Sequence, residues 1–475
     1  MKPNIVFILA DDLGYGDFSI FNDGVSETPR LDALIAESIC LTQAYTGSTV
    51  CNPSRACLLT GRYPHRTGSI DTLDWWGVEK LSLRERTLAD ALKGAGYTTG
   101  LMGKWHLGCF EPAYHPLRRG FDETVCFRGG MHDYYQWRVE FGETARRTDG
   151  TYLTDLWTEE STQFIKRHRQ EPFFLHVTYN APHGPYQAPE EDIAPFRGKP
   201  GINDTVATLY GMVRCLDKGV GRILDTLDEC GLRENTIVVF SSDNGPDLGG
   251  KVKRFNCNFA GMKTNCYEGG IRVPMIVRWP AGLPGGRENH EMLHFSDWYP
   301  TLLAMAGVEL PEGQLPLDGV DALPMLREER GSTGRTRCWQ WNRLQPVRDC
   351  NAAIRDGDWK LVRPWVQGAF DTTEDFWLFV SMYGPEHFLH NGNIDRPWPD
   401  REIGPVPPAQ LYNIATDPGE TKDISADHPQ IASRLEQALR VWFDDVELER
   451  STTPEYIARA ARWAEYGGPQ PGLFN

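Results

Sequence analysis

Cys51 opens the run Cys51-Asn52-Pro53-Ser54-Arg55-Ala56-Cys57-Leu58-Leu59-Thr60-Gly61-Arg62, which sets a nucleophile, a proline and an arginine at fixed offsets. Proline suits the first helical position, where its missing N–H has no helical partner. The run therefore predicts a short helix with Asn52 as N-cap and Gly61 as its end. Cys51 then lies against the positive end of the helix dipole, where an anion is favoured, and Arg55 one turn on reaches back towards the same spot. By itself a cysteine before a helix reads as a small buried hydrophobe or as a low-pKa thiol.

Two apolar runs end in acidic pairs. Ile5–Ala10 leads into Asp11-Asp12, and Thr236–Phe240 leads through Ser241-Ser242 into Asp243-Asn244-Gly245. Either pair alone marks a turn. Both ending apolar strands make a cluster of oxygen donors at the carboxyl ends of a sheet, where ligands of open α/β folds gather. An all-oxygen set suits Ca2+, or Mg2+, over zinc.

A cation and an imidazole follow the run Thr98–Met102, in Gly103-Lys104-Trp105-His106-Leu107-Gly108. If the strand continued, Lys104 and His106 would share one face. His183 follows the run Phe173–Thr178, whereas His176 lies within it and reads as a packed core residue. His65 and His132 have no spacing that sets them apart, and a structural role is their default. Trp75-Trp76 and Tyr134-Tyr135 with Trp137 are either sugar-stacking platforms or core, and core is the commoner fate of such clusters.

Elements that would position these groups can be read from the apolar pattern. Ile5–Ala10 is a strand covered on both faces; Thr98–Met102, Phe173–Thr178, Thr236–Phe240 and Pro274–Val277 are further strands. Thr28-Pro29 and Thr87 each open a helix, and Ala207–Cys230 reads as a long amphipathic one. The alternation predicts an α/β fold, with a large mixed, mostly parallel sheet sandwiched by helices. Around Arg327–Arg337 the chain turns polar and glycine-containing, which divides it into a catalytic domain over 1–330 and a smaller α+β domain over 338–475. In the latter, Ala352–Arg355 and Trp359–Val362 flank an Asp-Gly hairpin signal, a helix spans Ile431–Phe443, and the tail from Gly467 is irregular.

The chain of 475 residues carries a net charge of −16, which argues against a nucleic-acid partner. No apolar run is long enough to span a membrane. Its eleven cysteines include no C-x-x-C pair, which fits a reducing compartment rather than a disulfide framework. Met1-Lys2-Pro3-Asn4 leads straight into a strand without a signal-peptide pattern, so the expected home is cytoplasmic as written, or periplasmic or secreted if a leader has been removed.

Cys-x-Pro-Ser-Arg followed by Leu-Thr-Gly-Arg resembles the signature of the type I sulfatases, within the alkaline phosphatase superfamily. Gly103-Lys104-Trp105-His106, the Glu268-Gly269-Gly270-Ile271-Arg272-Val273-Pro274 run and Leu411-Tyr412-Asn413 with Asp417-Pro418-Gly419-Glu420 match the same family in order. The resemblance implies a sulfatase that hydrolyses an aryl or carbohydrate sulfate monoester. It implies that Cys51 is converted by a maturation enzyme to Cα-formylglycine, and that Ca2+ is held by Asp11, Asp12, Asp243, Asn244 and residue 51. It further implies Arg55, Lys104 and Lys263 on the sulfuryl oxygens, His183 as acid to the leaving oxygen and His106 as base. Lys263 rests on its place before the Glu-Gly-Gly run, with Lys251 and Lys253 as rivals. Two other readings are a phosphonate monoester or phosphodiester hydrolase of the same superfamily, and a non-catalytic anion- or glycan-binding pseudoenzyme. Oligomeric state and the particular ester are open at this level.

Overall fold

The computed structural model describes residues 2–247, 254–372 and 376–465. Lys251, Lys253 and the tail from Gly467 therefore lie outside the described residues. Ten strands form one mixed sheet in the spatial order Arg287–Asn289, Ile39–Leu41, Met275–Arg278, Thr236–Ser242, Asn4–Ala10, Phe173–Thr178, Thr98–Lys104, Glu123–Phe127, Arg138–Phe141, Thr144–Arg147. The strands from Thr236–Ser242 to Glu123–Phe127 are parallel. Met275–Arg278 runs antiparallel on one side, and the hairpin Arg138–Arg147 closes the other edge.

Asn4–Ala10 is central, and its alternate residues feed two cores. Ile5, Phe7 and Leu9 pack with the helices Cys51–Thr60, Leu88–Gly94 and Trp298–Ala306. Val6, Ile8 and Ala10 pack with Pro29–Ala36, Leu153–His168 and Asp204–Glu229. Period-two alternation with both faces covered is what a continuous apolar run encodes. Thr87 caps Leu88–Gly94 through a reciprocal bond with Asp90, and Pro29 begins its helix after Thr28.

A second, antiparallel sheet takes its strands from Arg337–Gln340, Ala352–Asp356, Trp359–Arg363 and Gln410–Asn413. The Asp356–Trp359 hairpin turns at Gly357, whose φ of 60° matches the Asp-Gly signal. The helix Pro429–Arg450 covers one face of this sheet. The other face, with Trp339, Ala353, Val362 and Tyr412, packs onto Tyr45, Cys266 and Ile271 of the larger unit. Among the described residues, no helix is long and apolar enough to cross a membrane.

Candidate active site

The register between the strands Asn4–Ala10 and Thr236–Ser242 pairs Asn4 with Thr236 and Ala10 with Ser242. Both strands thus end level, and Asp11, Asp12, Asp243 and Asn244 emerge side by side, all buried. Ligand-capable atoms of Asp11, Asp243 and Cys51 lie within 4.8 Å of one another, as do those of Asp11, Asp12 and His183. Asn244 Nδ2 donates to Asp12 Oδ1 at 2.7 Å, so the amide is oriented by its neighbour. Asp11 Oδ1 and Asn244 Oδ1 are buried without a hydrogen-bond partner. Orphaned buried oxygens are costly, and a buried cluster this rich in oxygen donors fits a hard divalent cation such as Ca2+.

Cys51 is the first residue of the helix Cys51–Thr60, and Val50, in extended conformation, is its N-cap. This corrects the expected cap at Asn52. The Asn52 side chain turns inward, donating to the carbonyls of Glu79 and His106 and accepting from Ser69. Pro53 is tolerated one turn in because the first four helical N–H groups lack helical partners in any case. Gly61 ends the helix in the left-handed conformation, as read from sequence.

Arg55 points into the acidic cage. Its Nε donates to Asp243 Oδ2 at 2.8 Å, Nη1 donates to the Lys104 carbonyl at 3.0 Å, and Nη2 stands 3.7 Å from Asp11 Oδ2. Lys104 Nζ donates to Asp11 Oδ2 at 2.6 Å, and Lys263 Nζ to Asp12 Oδ2 at 2.8 Å. His183 Nε2 is 3.7 Å from the same Asp12 oxygen, while its Nδ1 contacts the Gly184 carbonyl. His176 is a core residue, its Nδ1 on the Phe7 carbonyl, and burial pushes its pKa down to about 3.

Lys104 and His106 do not share a strand face. The strand ends at Lys104, and His106 has a φ of 58°, so the chain has already turned. That turn brings both to Cys51 from different directions. Gly103 permits it: its φ is 127°, and a Cβ there would stand 2.0 Å from the Thr178 carbonyl oxygen. Gly130 is constrained by space alone, since a Cβ would meet the His106 ring at 2.9 Å.

Burial alone would raise the Cys51 thiol, but Lys104, His106 and Lys263 hold it below its ordinary value. Burial would discharge His106, yet Cys51 and Asp74 outweigh it and lift the imidazole to about 9. Asp243 is pushed up by burial and by the adjacent Asp11, against the pull of Arg55 and Lys104. His183 is held down by burial and by Lys263. A buried centre where cations and carboxylates shift each other's protonation has the electrostatics of a reaction site for an anion.

Sequence reasoning missed several contributors. Asp74 Oδ1 lies 3.1 Å from His106 Nε2, and its Oδ2 accepts from Gly130 N at 3.0 Å. Tyr134 Oη donates to the carbonyls of Asn180 and His183, fixing the His183 loop. Arg254 donates to the Asp12 carbonyl. None of these has a spacing signal, because each acts through a bond to a group distant in sequence. Trp75, Trp76 and Trp137 are core, and His65 and His132 are buried structural groups.

The family described as Sulfatase matches residues 3–308, and the one described as N-sulphoglucosamine sulphohydrolase, C-terminal, matches residues 262–384. The chain is 35% identical to N-acetylgalactosamine-6-sulfatase of Canis lupus familiaris, over 68% of this chain and 66% of that protein, just under two thirds of its length. It is 31% identical to arylsulfatase J of Mus musculus, over 91% of this chain and 74% of that protein. The crystal structure of Ps i-CgsB in complex with k-i-k-neocarrahexaose superposes with a TM-score of 0.79 at 29% identity, covering 100% of both chains.

Proposed function

The chain belongs to the sulfatase family, and from that premise we propose that it hydrolyses a sulfate monoester of a carbohydrate, releasing an alcohol and inorganic sulfate. The observation that carries this reading is the setting of Cys51: a buried helix-start thiol within 4.8 Å of Asp11 and Asp243 ligand atoms, its pKa drawn down by Lys104, His106 and Lys263. The carbohydrate class is supported by the sugar named for the canine relative and by the oligosaccharide in the Ps i-CgsB complex.

Converted by a maturation enzyme to formylglycine, residue 51 supplies an oxygen nucleophile in its hydrated form. Asp11, Asp12, Asp243, Asn244 and residue 51 would hold Ca2+, which would supply positive charge against the sulfuryl oxygens. The remaining work belongs to the chain's own side chains. Asp243, steered by Arg55, takes a proton at position 51. Lys104 and Lys263, whose ammonium groups are already fixed on Asp11 and Asp12, face the developing charge on sulfur without having to reorganise. His183, whose loop is tied by Tyr134, delivers a proton with Lys263 to the departing sugar oxygen. His106, 3.1 Å from Asp74 and freed by the conversion of residue 51 from the Cys51 thiolate that raises it most, takes a proton at position 51 in the step that frees sulfate.

The test is sulfate release from nitrophenyl sulfate, N-acetylgalactosamine 6-sulfate and carrageenan fragments, beside hydrolysis of bis(nitrophenyl) phosphate. The reading predicts a higher kcat/KM for a sulfate ester than for the phosphodiester. Faster turnover of the diester moves the chain to phosphodiester chemistry.

A further inference from the structure

Every polar atom of Asp12 is held. Its N–H donates to Asp243 Oδ1 at 3.4 Å, and its Oδ1 accepts from Asn244 Nδ2 at 2.7 Å. Its Oδ2 accepts from Lys263 Nζ at 2.8 Å, and its carbonyl from Arg254 Nη2 at 2.6 Å. The backbone needs these grips because it is left-handed there, with a φ of 64°. A residue other than glycine keeps that conformation where its surroundings over-determine it. The turn also serves the site. In a continuing strand Asp11 and Asp12 would point to opposite faces, whereas here ligand-capable oxygens of both lie within 4.8 Å, together with His183.

Arg254 comes to Asp12 from 242 positions away. Two glycines after the acidic pair admit its segment. A Cβ on Gly14 would stand 2.8 Å from Pro246 Cγ, and one on Gly16 would stand 1.9 Å from the Phe255 carbonyl oxygen. Lys263 N is tied to the same region through the Pro246 carbonyl at 3.0 Å. Two cations therefore take opposite ends of one residue, Arg254 the carbonyl and Lys263 the carboxylate. Behind them Asp17 Oδ2 stands 3.5 Å from Arg254 Nη2, each side chain 1% exposed, and the same oxygen accepts from Gly14 N at 2.7 Å.

This pair is a poor device for stabilising a fold. Arg254 Nε, Arg254 Nη1 and Asp17 Oδ1 are buried without a hydrogen-bond partner among the described residues. A buried ion pair with open donors and acceptors gives the fold no more than apolar groups of similar shape would. A local arrangement that works against stability in this way points to a functional demand. The demand is at Asp12, the one catalytic-centre group that Arg254 touches.

We propose that Arg254, braced by Asp17, is a positioning residue of the reaction. By holding the Asp12 carbonyl it fixes the left-handed turn that sets the Asp12 carboxylate between the cation site and Lys263. Arg254 is too deeply buried to meet substrate, and it acts through Asp12 alone. The kinetic part of its test rests on the sulfatase reading, and the calcium part does not.

The decisive variant is Asp17→Asn/Arg254→Met, which removes both charges, leaves the net charge unchanged and keeps an acceptor for Gly14 N. Calcium chloride binding is followed by calorimetry and the fold by Tm in chelator. Turnover of nitrophenyl sulfate is followed on chain made together with a formylglycine-generating enzyme. The calcium Kd should rise about tenfold or more and kcat should fall about tenfold or more. The Tm in chelator should stay within about 2 °C of wild type or exceed it. Because the pair carries no net charge, a changed calcium affinity reports the placement of Asp12 rather than a changed field. Arg254→Lys should stay within about threefold of wild type in Kd and kcat, since a single guanidinium nitrogen makes the contact and an ammonium can replace it. The proposal is overturned if the double variant binds calcium and turns over as wild type does, or if its losses come with a Tm fall of more than about 5 °C in chelator. It is also overturned if Arg254→Lys is as impaired as the double variant, or if the wild-type chain binds no calcium. A wild-type chain that binds calcium but releases no sulfate refutes the sulfatase reading alone, and the calcium and Tm results then decide the proposal.

Discussion

Lys263 and Asp12 stand 251 positions apart and meet through a 2.8 Å bond between ammonium and carboxylate. The lysine lies at the cleft side of the acidic cage, its side chain 11% exposed against 2% for the aspartate, so it can serve an incoming anion while Asp12 fixes its position. Lys263→Ala should lower kcat/KM for a sulfate ester by about a hundredfold or more, as loss of one preorganised charged donor does. Steady-state kinetics showing a change of less than about threefold would remove Lys263 from the reaction.

Asp74 supports His106 from behind and ties the Gly130 backbone to it. Asp74→Asn keeps the shape but removes the charge. It should lower kcat by about ten- to a hundredfold with a small change in KM, because it affects the orientation and charge of a base rather than ground-state binding. Equal kcat in variant and wild type would make Asp74 purely structural.

The cation site has a readout that does not depend on turnover. Calcium at about a hundred times its Kd should stabilise the fold by about 2.7 kcal/mol, seen as a rise in Tm. Asp243→Ala should abolish that rise, since it removes one of the converging carboxylates. A Tm indifferent to calcium and to chelation in the wild-type chain would dismiss the site.

What the sequence made legible here was largely local. The strand ends carrying Asp11-Asp12 and Asp243-Asn244, the helix stop at Gly61 and the Thr87 cap follow from short-range rules, and the central strand's apolar run specifies two covered faces. The start of the Cys51 helix was displaced because Asn52 is recruited by Glu79 and His106, which are brought close only by the fold. The helix Leu153–His168 went unmarked because Thr154, Thr158, Ser161 and Thr162 fill buried positions and dilute its apolar stripe. The bend at His106 was hidden because the chain turns there at positive φ on a histidine, with no glycine at that position to mark it. Asp74, Tyr134 and Arg254 act on groups far along the chain, and a single sequence has no term for that.

Lys360 is buried between Glu268 at 2.9 Å and Glu420 at 2.8 Å, where the smaller sheet meets the Glu-Gly-Gly run. Burial, aided by Glu268 and opposed by Lys360, pushes Glu420 from its ordinary 4.5 up to about 7. The folded chain then binds a proton that the unfolded chain has released, so this residue's contribution to stability falls as pH rises from 4.5 through about 7. Glu268 is shifted the other way, down to about 2, and its contribution is lost only on acidification below that window. Glu420→Gln should therefore gain in Tm relative to wild type as pH rises from about 5 to about 7.5. A Tm difference that stays constant across that range would contradict the assignment.

Position 51 carries the account, and mass spectrometry of the peptide that contains it, alongside activity, tests it most directly. Chain made together with a formylglycine-generating enzyme should show the Cys51 thiol replaced by an aldehyde or its hydrate, with sulfate release rising in proportion to the converted fraction. Cys51→Ala should fold and release none. A preparation with full sulfatase activity and an intact Cys51 thiol would contradict the account.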